Sequence, residues 1–446
     1  MKKAVRRLRV LRRLWGNRVA FWVGALVVGM VSVGFAAAAD WAQSRFFAIQ
    51  GRFWLAPVLL TPLGFVVCAH LARVYFPGSQ GSGIPQAIAA RHLGPGPERQ
   101  RLLSLRICVG KIGLTLIALL CGASVGREGP TVQVGAALML QISRLFGTAQ
   151  QRGLILAGSA AGIAAAFNAP LAGVVFAIEE MSRAFEARTN SRVITTVILS
   201  GLISLGLEGN YIYFGVSTAS FDQPHTWMLV AFCGLGGGLA GGLFARLMFE
   251  GTLWLRGFMA VDPLRRQWLV PLACGVIVML CGLVSHGATF GTGYDQAKSA
   301  IEGASLPNDF WALKLIATLV TAISGLPGGI FAPSLAVGAG LGAALAGAGL
   351  VGAGAVLGMT AYFAGVVGAP MTAFVIVLEM TGNAGNAIPV MLSAMLGVSA
   401  SKLVNRTPLY HALSELFLPP RPSARVKHPQ PAQPPESASP PGPAVG

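Results

Sequence analysis

Residues 112–143 read IGLTLIALLCGASVGREGPTVQVGAALMLQIS, and this stretch decides the fold. It contains two uncharged runs of 15 residues each, 112–126 and 129–143, with only Arg127 and Glu128 between them. A helix needs about 20 apolar residues to cross a bilayer, so neither run crosses it alone. The stretch therefore predicts two half-length or broken membrane helices that meet at a charged pair.

A longer stretch of the same kind lies in the second half of the chain. Residues 315–378 carry no charged side chain and no His, and Gly and Pro interrupt them at 325–333 and 368–370. A stretch of this length is too long for one span. It therefore predicts several membrane helices, some of them broken.

An internal repeat relates these two regions. Lys111–Pro130 recurs as Lys314–Pro333, and FNAPLAGVVFAIEE (167–180) resembles VGAPMTAFVIVLEM (367–380). The two offsets are nearly constant, 203 and 200 residues. Chance similarity between Ala- and Gly-rich segments is the alternative explanation. Duplicated halves with broken helices are typical of secondary transporters, so we expect an inverted pair, although the sequence alone does not reveal inversion.

The composition agrees with a chain that lies in lipid. Hydrophobic residues make up 54% of the 446 positions and charged residues 11%, whereas about 25% of a soluble domain is charged. The 58 glycines suit membrane helices that pack closely through small residues. The predicted fold is an all-α polytopic membrane protein with two homologous repeats, 19–210 and 225–416, that contain broken and half-membrane helices.

The net charge of +17 is explained better by the membrane than by nucleic acid. Seven of the 33 basic residues lie in the first 15 positions, just before the uncharged run 19–39. The positive-inside rule then predicts a basic cytoplasmic segment at 1–18, a first span that anchors the chain in the cell inner membrane, and cytoplasmic N- and C-termini. A DNA-binding arm and a signal peptide cleaved near 36–39 are the alternatives.

The cysteines and the C-terminal tail indicate no functional site. The six cysteines occur singly in apolar stretches without a CxxC pair, so we interpret them as packing residues rather than metal ligands or disulfides. Residues 417–446 are rich in Pro, Ser, Ala and Gln, which predicts a disordered tail without regulatory nucleotide-binding modules. No cofactor or metal is indicated.

Four short motifs share one design, in which a Gly- or Thr-containing loop is followed by Pro in the first turn of a predicted helix. Pro suits that turn because its missing N–H is not needed there. The free N–H groups and the positive dipole end of such a helix bind anions without a full positive charge, which suits an ion that must also leave. The motifs are GSGIPQ (81–86), GREGP (126–130), GGIFAPS (328–334) and TPLY (407–410).

In this order and spacing, the four motifs resemble those of the CLC family of chloride channels and chloride/proton antiporters, in its bacterial type without CBS domains. The resemblance covers about residues 18–416. It implies that the Ser82 hydroxyl, the backbone N–H groups of Ile330 and Phe331, and the Tyr410 hydroxyl bind the central anion. It also implies a homodimer with one pathway for chloride and protons in each subunit.

Variations within these motifs refine the resemblance. A serine at Ser82 favours chloride over nitrate within the family, and GREGP with Tyr410 argues against its fluoride-exporting branch. Gln86 stands where the family often has an acid, which puts local proton effects in doubt but leaves the anion site intact.

Glu128 is the strongest candidate for a functional carboxylate. It lies between the two half-length runs, and a carboxylate at membrane depth is costly, so function is its default explanation. A salt bridge to the neighbouring Arg127 in a solvated loop is the alternative. The resemblance implies that Glu128 is the gating glutamate and the external proton site, with Arg127 in an auxiliary position.

Glu180 is the second candidate carboxylate. It lies about 15 Å along the helix that begins at Pro170, near the basic end marked by Arg183 and Arg188. Sequence alone favours an interfacial acid paired with those arginines. The resemblance instead implies that Glu180 is the internal proton glutamate, with Glu179 as an auxiliary residue that orders water.

Three further charged residues occupy repeat-related positions. Lys111 and Lys314 are equivalent, and each either contributes a positive field along the pore or extends to a helix end. Glu379, equivalent to Glu179, is interpreted as structural.

Two rival functions remain. A passive chloride channel shares this architecture, and Glu180 is the residue that discriminates it from an antiporter. An enzyme is the remote alternative: GASVG (122–126) fits GxSxG, and an intramembrane serine hydrolase would need Ser124 with a base such as His286. We expect a transporter rather than an enzyme.

Overall fold

The structure, a computed structural model, describes residues 2–147, 151–182, 187–209, 212–217, 221, 224–347, 349–382 and 384–419 of the chain. Within these residues the chain forms eighteen α-helices. In chain order they are α1 (Lys2–Arg52), α2 (Ala56–Val74), α3 (Ile84–His92), α4 (Pro97–Leu102), α5 (Leu105–Leu120), α6 (Glu128–Leu145), α7 (Gln151–Phe167), α8 (Pro170–Phe176), α9 (Ala187–Glu208), α10 (Pro224–Val261), α11 (Pro263–Val284), α12 (Tyr294–Ile301), α13 (Phe310–Ile323), α14 (Phe331–Ala346), α15 (Val351–Val367), α16 (Pro370–Thr381), α17 (Ala387–Val404) and α18 (Leu409–Glu415).

The helix lengths confirm a polytopic membrane fold. Six helical segments of the described chain are long and apolar enough to cross a membrane, and four further apolar helices have only 10–17 residues. The opening stretch forms α5, with 16 residues, and α6, with 18 residues, separated by a loop. At 1.5 Å per residue each covers about 24–27 Å, which is short of the roughly 30 Å hydrocarbon core.

The two repeats run in opposite directions. Phe46 lies near the end of α1 from which α2 departs, and Arg73 lies at the far end of α2. Gly122, just after α5, lies against the Phe46 ring, whereas its repeat equivalent Gly325, just after α13, lines a cavity with Arg73. The C-terminal ends of the equivalent helices α5 and α13 therefore face opposite sides of the molecule, while the loops that follow them are hydrogen-bonded to each other. The repeat is inverted, as expected for a secondary transporter.

Small residues allow the helices of each half to pack closely. A Cβ atom at Gly135 of α6 would overlap the carbonyl group of Gly158 in α7. In the second half, a Cβ at the equivalent Gly338 of α14 would lie 2.7 Å from the carbonyl oxygen of Gly358 in α15. The same glycine contact thus joins the same helix pair in both halves, as expected where lipid gives no hydrophobic drive between helices.

The cysteines and the C-terminal segment complete the fold. All six cysteines are free and buried, which confirms their interpretation as packing residues. Phe417 and Leu418 pack against the main hydrophobic core, so ordered chain continues past 416, where the predicted tail begins. Residues 420–446 of that tail lie outside the described residues.

Candidate anion and proton site

Backbone hydrogen bonds join three of the four motif loops. Gly126 and Gly329 donate their N–H groups to each other's carbonyl oxygens, both at 2.7 Å. Gly81 donates to the Leu326 carbonyl at 3.0 Å and accepts from the Gly328 N–H at 3.1 Å. The N-termini of α3, α6 and α14 consequently meet at one place, and α18 packs against α3 beside them.

The loop that carries Ser82 is fixed by two side chains. Lys111 donates from Nζ to the carbonyl oxygens of Ser79 and Gly81, at 2.7 and 2.5 Å. Gln86 accepts from the Gly83 N–H at 3.1 Å, which caps the first turn of α3. Gly83 has φ +103°, a conformation that favours glycine. These contacts hold the Ser82 hydroxyl at the N-terminus of α3.

The predicted anion ligands come together as the motifs indicate. Tyr410, fully buried, has its ring centroid 5.8 Å from that of Phe331, the first residue of α14. Its hydroxyl interacts electrostatically with Glu180 and Glu128 and lies close to the Ser82 hydroxyl. Among the residues that the structure describes, neither the Ser82 nor the Tyr410 hydroxyl has a hydrogen-bond partner. Buried hydroxyls are rarely left unpaired, so both are available to an anion.

The backbone at Ile330 and Phe331 faces the same place. Ile330 is the N-cap of α14, and the first four N–H groups of a helix lack partners inside the helix. Gly329 lies close enough to α6 that a Cβ atom there would be 3.0 Å from the Gly129 nitrogen. The free N–H groups of α14 thus open onto the start of α6, where Glu128 lies.

Glu128 is fully buried, and neither carboxylate oxygen has a hydrogen-bond partner in the described part of the chain. Arg127 does not pair with it. Instead, Arg127 Nη1 lies 2.6 Å from Asp40 Oδ1 and donates to the Ala36 carbonyl at 2.6 Å. The structure therefore excludes the alternative of a solvated Arg127–Glu128 salt bridge. A carboxylate without a partner at this depth is costly unless it binds a proton or moves.

Two cavities approach the site from opposite sides. The Asp40-end cavity, of about 670 Å³, is lined by Asp40, Arg127, Tyr213 and Tyr294 among others. The Arg73-end cavity, of about 250 Å³, is lined by Arg73, Arg256 and Ser82 among others. Because Arg127 and Ser82 each line one cavity, the buried Glu128 carboxylate lies between the two routes.

Glu180 lies in a widened helical turn. Helix α8 ends at Phe176, and Ala177–Ser182 form a π-helical segment, a feature often found at functional sites. Glu180 is 2% exposed, so it is not an interfacial acid in contact with solvent. Its carboxylate Oε1 lies 3.8 Å from His411 Nε2. The proposed arginine partners Arg183 and Arg188 have no described side chains.

Glu179 and Glu379 make the same contact in the two repeats. The Glu179 carboxylate accepts from the N–H groups of Met371 and Thr372 at the start of α16, at 3.1 and 2.6 Å. Glu379 accepts from Leu171 and Ala172 at the start of α8, also at 3.1 and 2.6 Å. Each repeat thus caps a helix of the other. The cap engages both oxygens of Glu179, the residue expected to order water.

Lys111 and Lys314 are both fully buried, so neither extends to a helix end. Lys314 donates to the carbonyl oxygens of Thr289 and Gly291 at 2.9 and 2.7 Å, the counterpart of the Lys111 contacts. Each lysine therefore holds one loop of its repeat by two hydrogen bonds to backbone carbonyl groups.

Ser124 and His286, the pair that a serine hydrolase would need, do not lie together. Its hydroxyl lies 2.9 Å from the Thr318 hydroxyl and is buried. His286 lines a surface cavity of about 710 Å³ with Gln50 and Asp295. The two residues therefore belong to different environments.

Two contacts of the site were not predicted from the sequence. Asp40 is the partner of Arg127, and its only sequence signal is that it ends the uncharged run 19–39. His411 approaches Glu180 from 231 positions away, and its only signal is that it follows Tyr410 in the TPLY motif.

The inverted fold, with the motif helices meeting at a buried polar site, is that of an ion-transport protein of the membrane. The chain belongs to the voltage gated chloride channel family, whose profile matches residues 63–402. It is 33% identical over 417 residues to the H(+)/Cl(-) exchange transporter ClcA of Salmonella typhimurium, covering 88% of this chain and 86% of the relative. The relative of that name in Salmonella arizonae is 33% identical over 442 residues, 92% of each chain.

Solved structures agree with this membership. The structure of a slow cyanobacterial Cl-/H+ antiporter matches with a TM-score of 0.77 and 26% identity, over 90% of this chain and 97% of the other. A CLC-type fluoride/proton antiporter matches with a TM-score of 0.76 and 22% identity, over 90% and 98% of the two chains. The second similarity concerns the fold alone.

Proposed function

We propose that this protein exchanges chloride for protons across the membrane. The observation that carries the proposal is the meeting of two unpartnered buried hydroxyls, Ser82 and Tyr410, with the start of α14 and the buried Glu128 carboxylate. Chloride binds to these hydroxyls and to the N–H groups of Ile330 and Phe331. Partial charges of this kind hold an anion weakly enough for it to leave.

Glu128 is both the gate and the proton site that faces the Asp40-end cavity. As a carboxylate it competes with chloride for the positive ends of α6 and α14. When it binds a proton it loses that attraction and moves aside, which opens the route for chloride. The same movement therefore gates the anion and exchanges a proton with the cavity.

Glu180 is the second proton site, on the Arg73 side. It is buried, and it interacts electrostatically with the same Tyr410 hydroxyl as Glu128 does. A proton that reaches Glu180 therefore continues towards Glu128 past the anion ligands. The relatives named H(+)/Cl(-) exchange transporter support proton-coupled exchange, which requires a proton route of this kind.

The orientation follows from charge. The basic segment at 1–18 and the arginines of the Arg73-end cavity support an orientation with that side of the molecule in the cytoplasm, in keeping with the positive-inside rule. The Asp40-end cavity then opens outside the inner membrane, and both chain termini are cytoplasmic.

A homodimer is also proposed, with one pathway in each subunit. Helices α8 and α16, whose N-termini receive the reciprocal caps, and the helices α9 and α17 that pack against them expose large apolar side chains, which a second copy of the chain could cover. They include Leu171, Ile198, Met371, Ile388 and Met395. Crosslinking of the purified protein in lipid vesicles, with one Cys introduced at Ile198 or Ile388, is the test; crosslinked dimers at high dilution are expected, and monomers alone would contradict the proposal.

The decisive measurement uses purified protein in liposomes with an imposed chloride gradient and a pH electrode. We expect protons to move against their own gradient, in a fixed ratio to chloride. If chloride moves and protons are not driven uphill, the protein is a passive chloride channel of the same fold.

Glu180→Gln separates the two fluxes. It removes a proton site but none of the proposed anion ligands, so we expect proton movement to be lost while chloride still moves. An equal loss of both fluxes would contradict the role assigned to Glu180.

A further inference from the structure

His411 connects the buried Glu180 to solvent. Its Nε2 atom lies 3.0 Å from the Glu180 carbonyl oxygen and 3.8 Å from the Glu180 carboxylate Oε1. The side chain of Glu180 is 2% exposed, whereas that of His411 is 21% exposed. The His411 imidazole is thus in contact with water, while the Glu180 carboxylate beside it is almost completely shielded from water.

Among the described residues, Glu180 is the acid that lies within ion-pair distance of His411. Helix α3, which packs against α18, carries Arg91 and His92, and Arg91 donates to the Met181 carbonyl beside Glu180. Helix α10, which also packs against α18, carries Arg256. On α18 itself, Glu415 is one turn beyond His411. Cations therefore predominate on the neighbouring elements, and Glu180 is the carboxylate recorded within ion-pair distance of the imidazole.

We propose that His411 is the residue through which protons pass between the Arg73-side solution and Glu180. This inference rests on the proposed proton role of Glu180. In the loading step, the imidazolium gives its Nε2 proton to Glu180 Oε1, which forms a neutral carboxylic acid and a neutral imidazole. The neutral imidazole keeps its Nδ1 proton, and its ring turns so that Nε2 meets solvent. There Nε2 takes a proton from a water molecule, which leaves as hydroxide, and the ring turns back as an imidazolium. The reverse sequence releases a proton to that side.

The geometry requires only a small movement for this transfer. A charge-assisted hydrogen bond is about 2.7–2.9 Å long, so the two atoms must approach by about 1 Å. The bond that Nε2 of the protonated ring donates to the Glu180 carbonyl holds the ring within that reach before each transfer.

The proposal predicts a particular dependence on pH. An imidazole can carry protons near neutral pH, where hydronium is scarce. Without the His411 imidazole, Glu180 loses this carrier. The loss of coupled proton flux is therefore expected to be large above about pH 7 and small near pH 5.

The test compares His411→Gln with wild type in liposomes, with the pH varied on the Arg73 side. Gln keeps an N–H donor for the Glu180 carbonyl but does not titrate, so a purely structural role is largely preserved. We expect proton flux to fall by about tenfold at pH 7.5, the low end of what a positioned proton-transfer group contributes. His92→Gln is the matched control, since His92 is an exposed imidazole on the same side, at the end of α3, and we expect wild-type flux.

Chemical rescue and a second background complete the experiment. His411→Ala is expected to regain proton flux when imidazole is added to the Arg73 side, which a structural defect would not do. In a Glu180→Gln background, His411→Gln is expected to leave chloride flux unchanged. Wild-type proton flux in His411→Gln at every pH, or no rescue by imidazole, overturns the inference while the proposed exchange stands. A wild-type protein that drives no protons overturns both.

Discussion

The reciprocal caps predict that Glu179→Gln and Glu379→Gln destabilise the protein by equal amounts. Each carboxylate accepts two N–H bonds, at 3.1 and 2.6 Å, from the first turn of a helix in the other repeat. A Gln side chain has one acceptor oxygen, so one bond is lost and the other is no longer charge-assisted. A hydrogen bond to a charged group contributes about 1.5–3 kcal/mol, and the charge at a helix N-terminus about 0.3–1 kcal/mol. We therefore expect each variant to lose about 2 kcal/mol.

Thermal unfolding of the purified protein in detergent measures this loss. For a chain of 446 residues, with an unfolding entropy of roughly 2.1 cal/mol/K per residue, 2 kcal/mol lowers the midpoint by about 2 °C. Glu98→Gln is the control, because Glu98 is an exposed glutamate in the first turn of α4 that caps no other helix, so at most the charge contribution of about 0.3–1 kcal/mol is lost and the midpoint falls by about 1 °C or less. If one variant were as stable as wild type and the other not, the two contacts would not be equivalent and the symmetric arrangement would be refuted.

Three further substitutions test the anion site in liposome flux assays. Gly129→Ala puts a Cβ atom 2.9 Å from the Ser82 carbonyl oxygen and in contact with the Ser82 hydroxyl, so chloride flux should fall about tenfold or more. Gly113→Ala is the control, because a Cβ atom there meets open space, and it should keep wild-type flux. Equal chloride fluxes in the two variants would refute the packing argument. Lys111→Met leaves the Ser79 carbonyl without its donor, at about 1–3 kcal/mol, and removes one of the two donors of the Gly81 carbonyl. It should reduce chloride flux more than Lys314→Met, which frees a loop that carries no proposed anion ligand. Glu128→Gln imitates the protonated gate, so the chloride flux of this variant should not depend on pH between about 4 and 8. A chloride flux that still changes with pH in this range would contradict the gating role of Glu128.

Much of the fold could be predicted because its signals are local. A run of 15 uncharged residues is too short to cross a bilayer whatever surrounds it, so residues 112–143 predict broken helices without knowledge of the rest. The motifs that place Pro in the first turn likewise predict helix starts. Helices α3, α6 and α14 each begin within two residues of a glycine of their motif, Gly83, Gly126 and Gly329 respectively. The repeat relates helices that are about 200 residues apart, so the equivalence of the two halves could also be predicted from the sequence.

The contacts of charged side chains were harder to predict. Arg127 has an acid at the next position, yet it pairs with Asp40, 87 positions earlier, because the start of α6 directs Glu128 towards α14 and Arg127 towards the Asp40-end cavity. Lys111 bonds to two carbonyl groups rather than to an acid or to solvent. Such choices depend on which backbone groups remain unpaired after the helices pack, and sequence spacing does not contain that information.

The inverted repeat is symmetric in its scaffold and asymmetric in its proton chemistry. The lysines, the glycine contacts between helices and the capping glutamates occur in both halves. At the offset of 203 residues, however, Glu128 corresponds to Phe331, and at the offset of 200 residues Glu180 corresponds to Met380. Both proposed proton sites therefore lie in the first half, while the second half supplies the N–H groups of α14 and the Tyr410 hydroxyl. Exchange of an anion for a proton needs one site that both can occupy. The antiparallel contact of Gly126 with Gly329 brings the first repeat, which holds both proposed proton sites, against the second repeat, which supplies the N–H groups of α14.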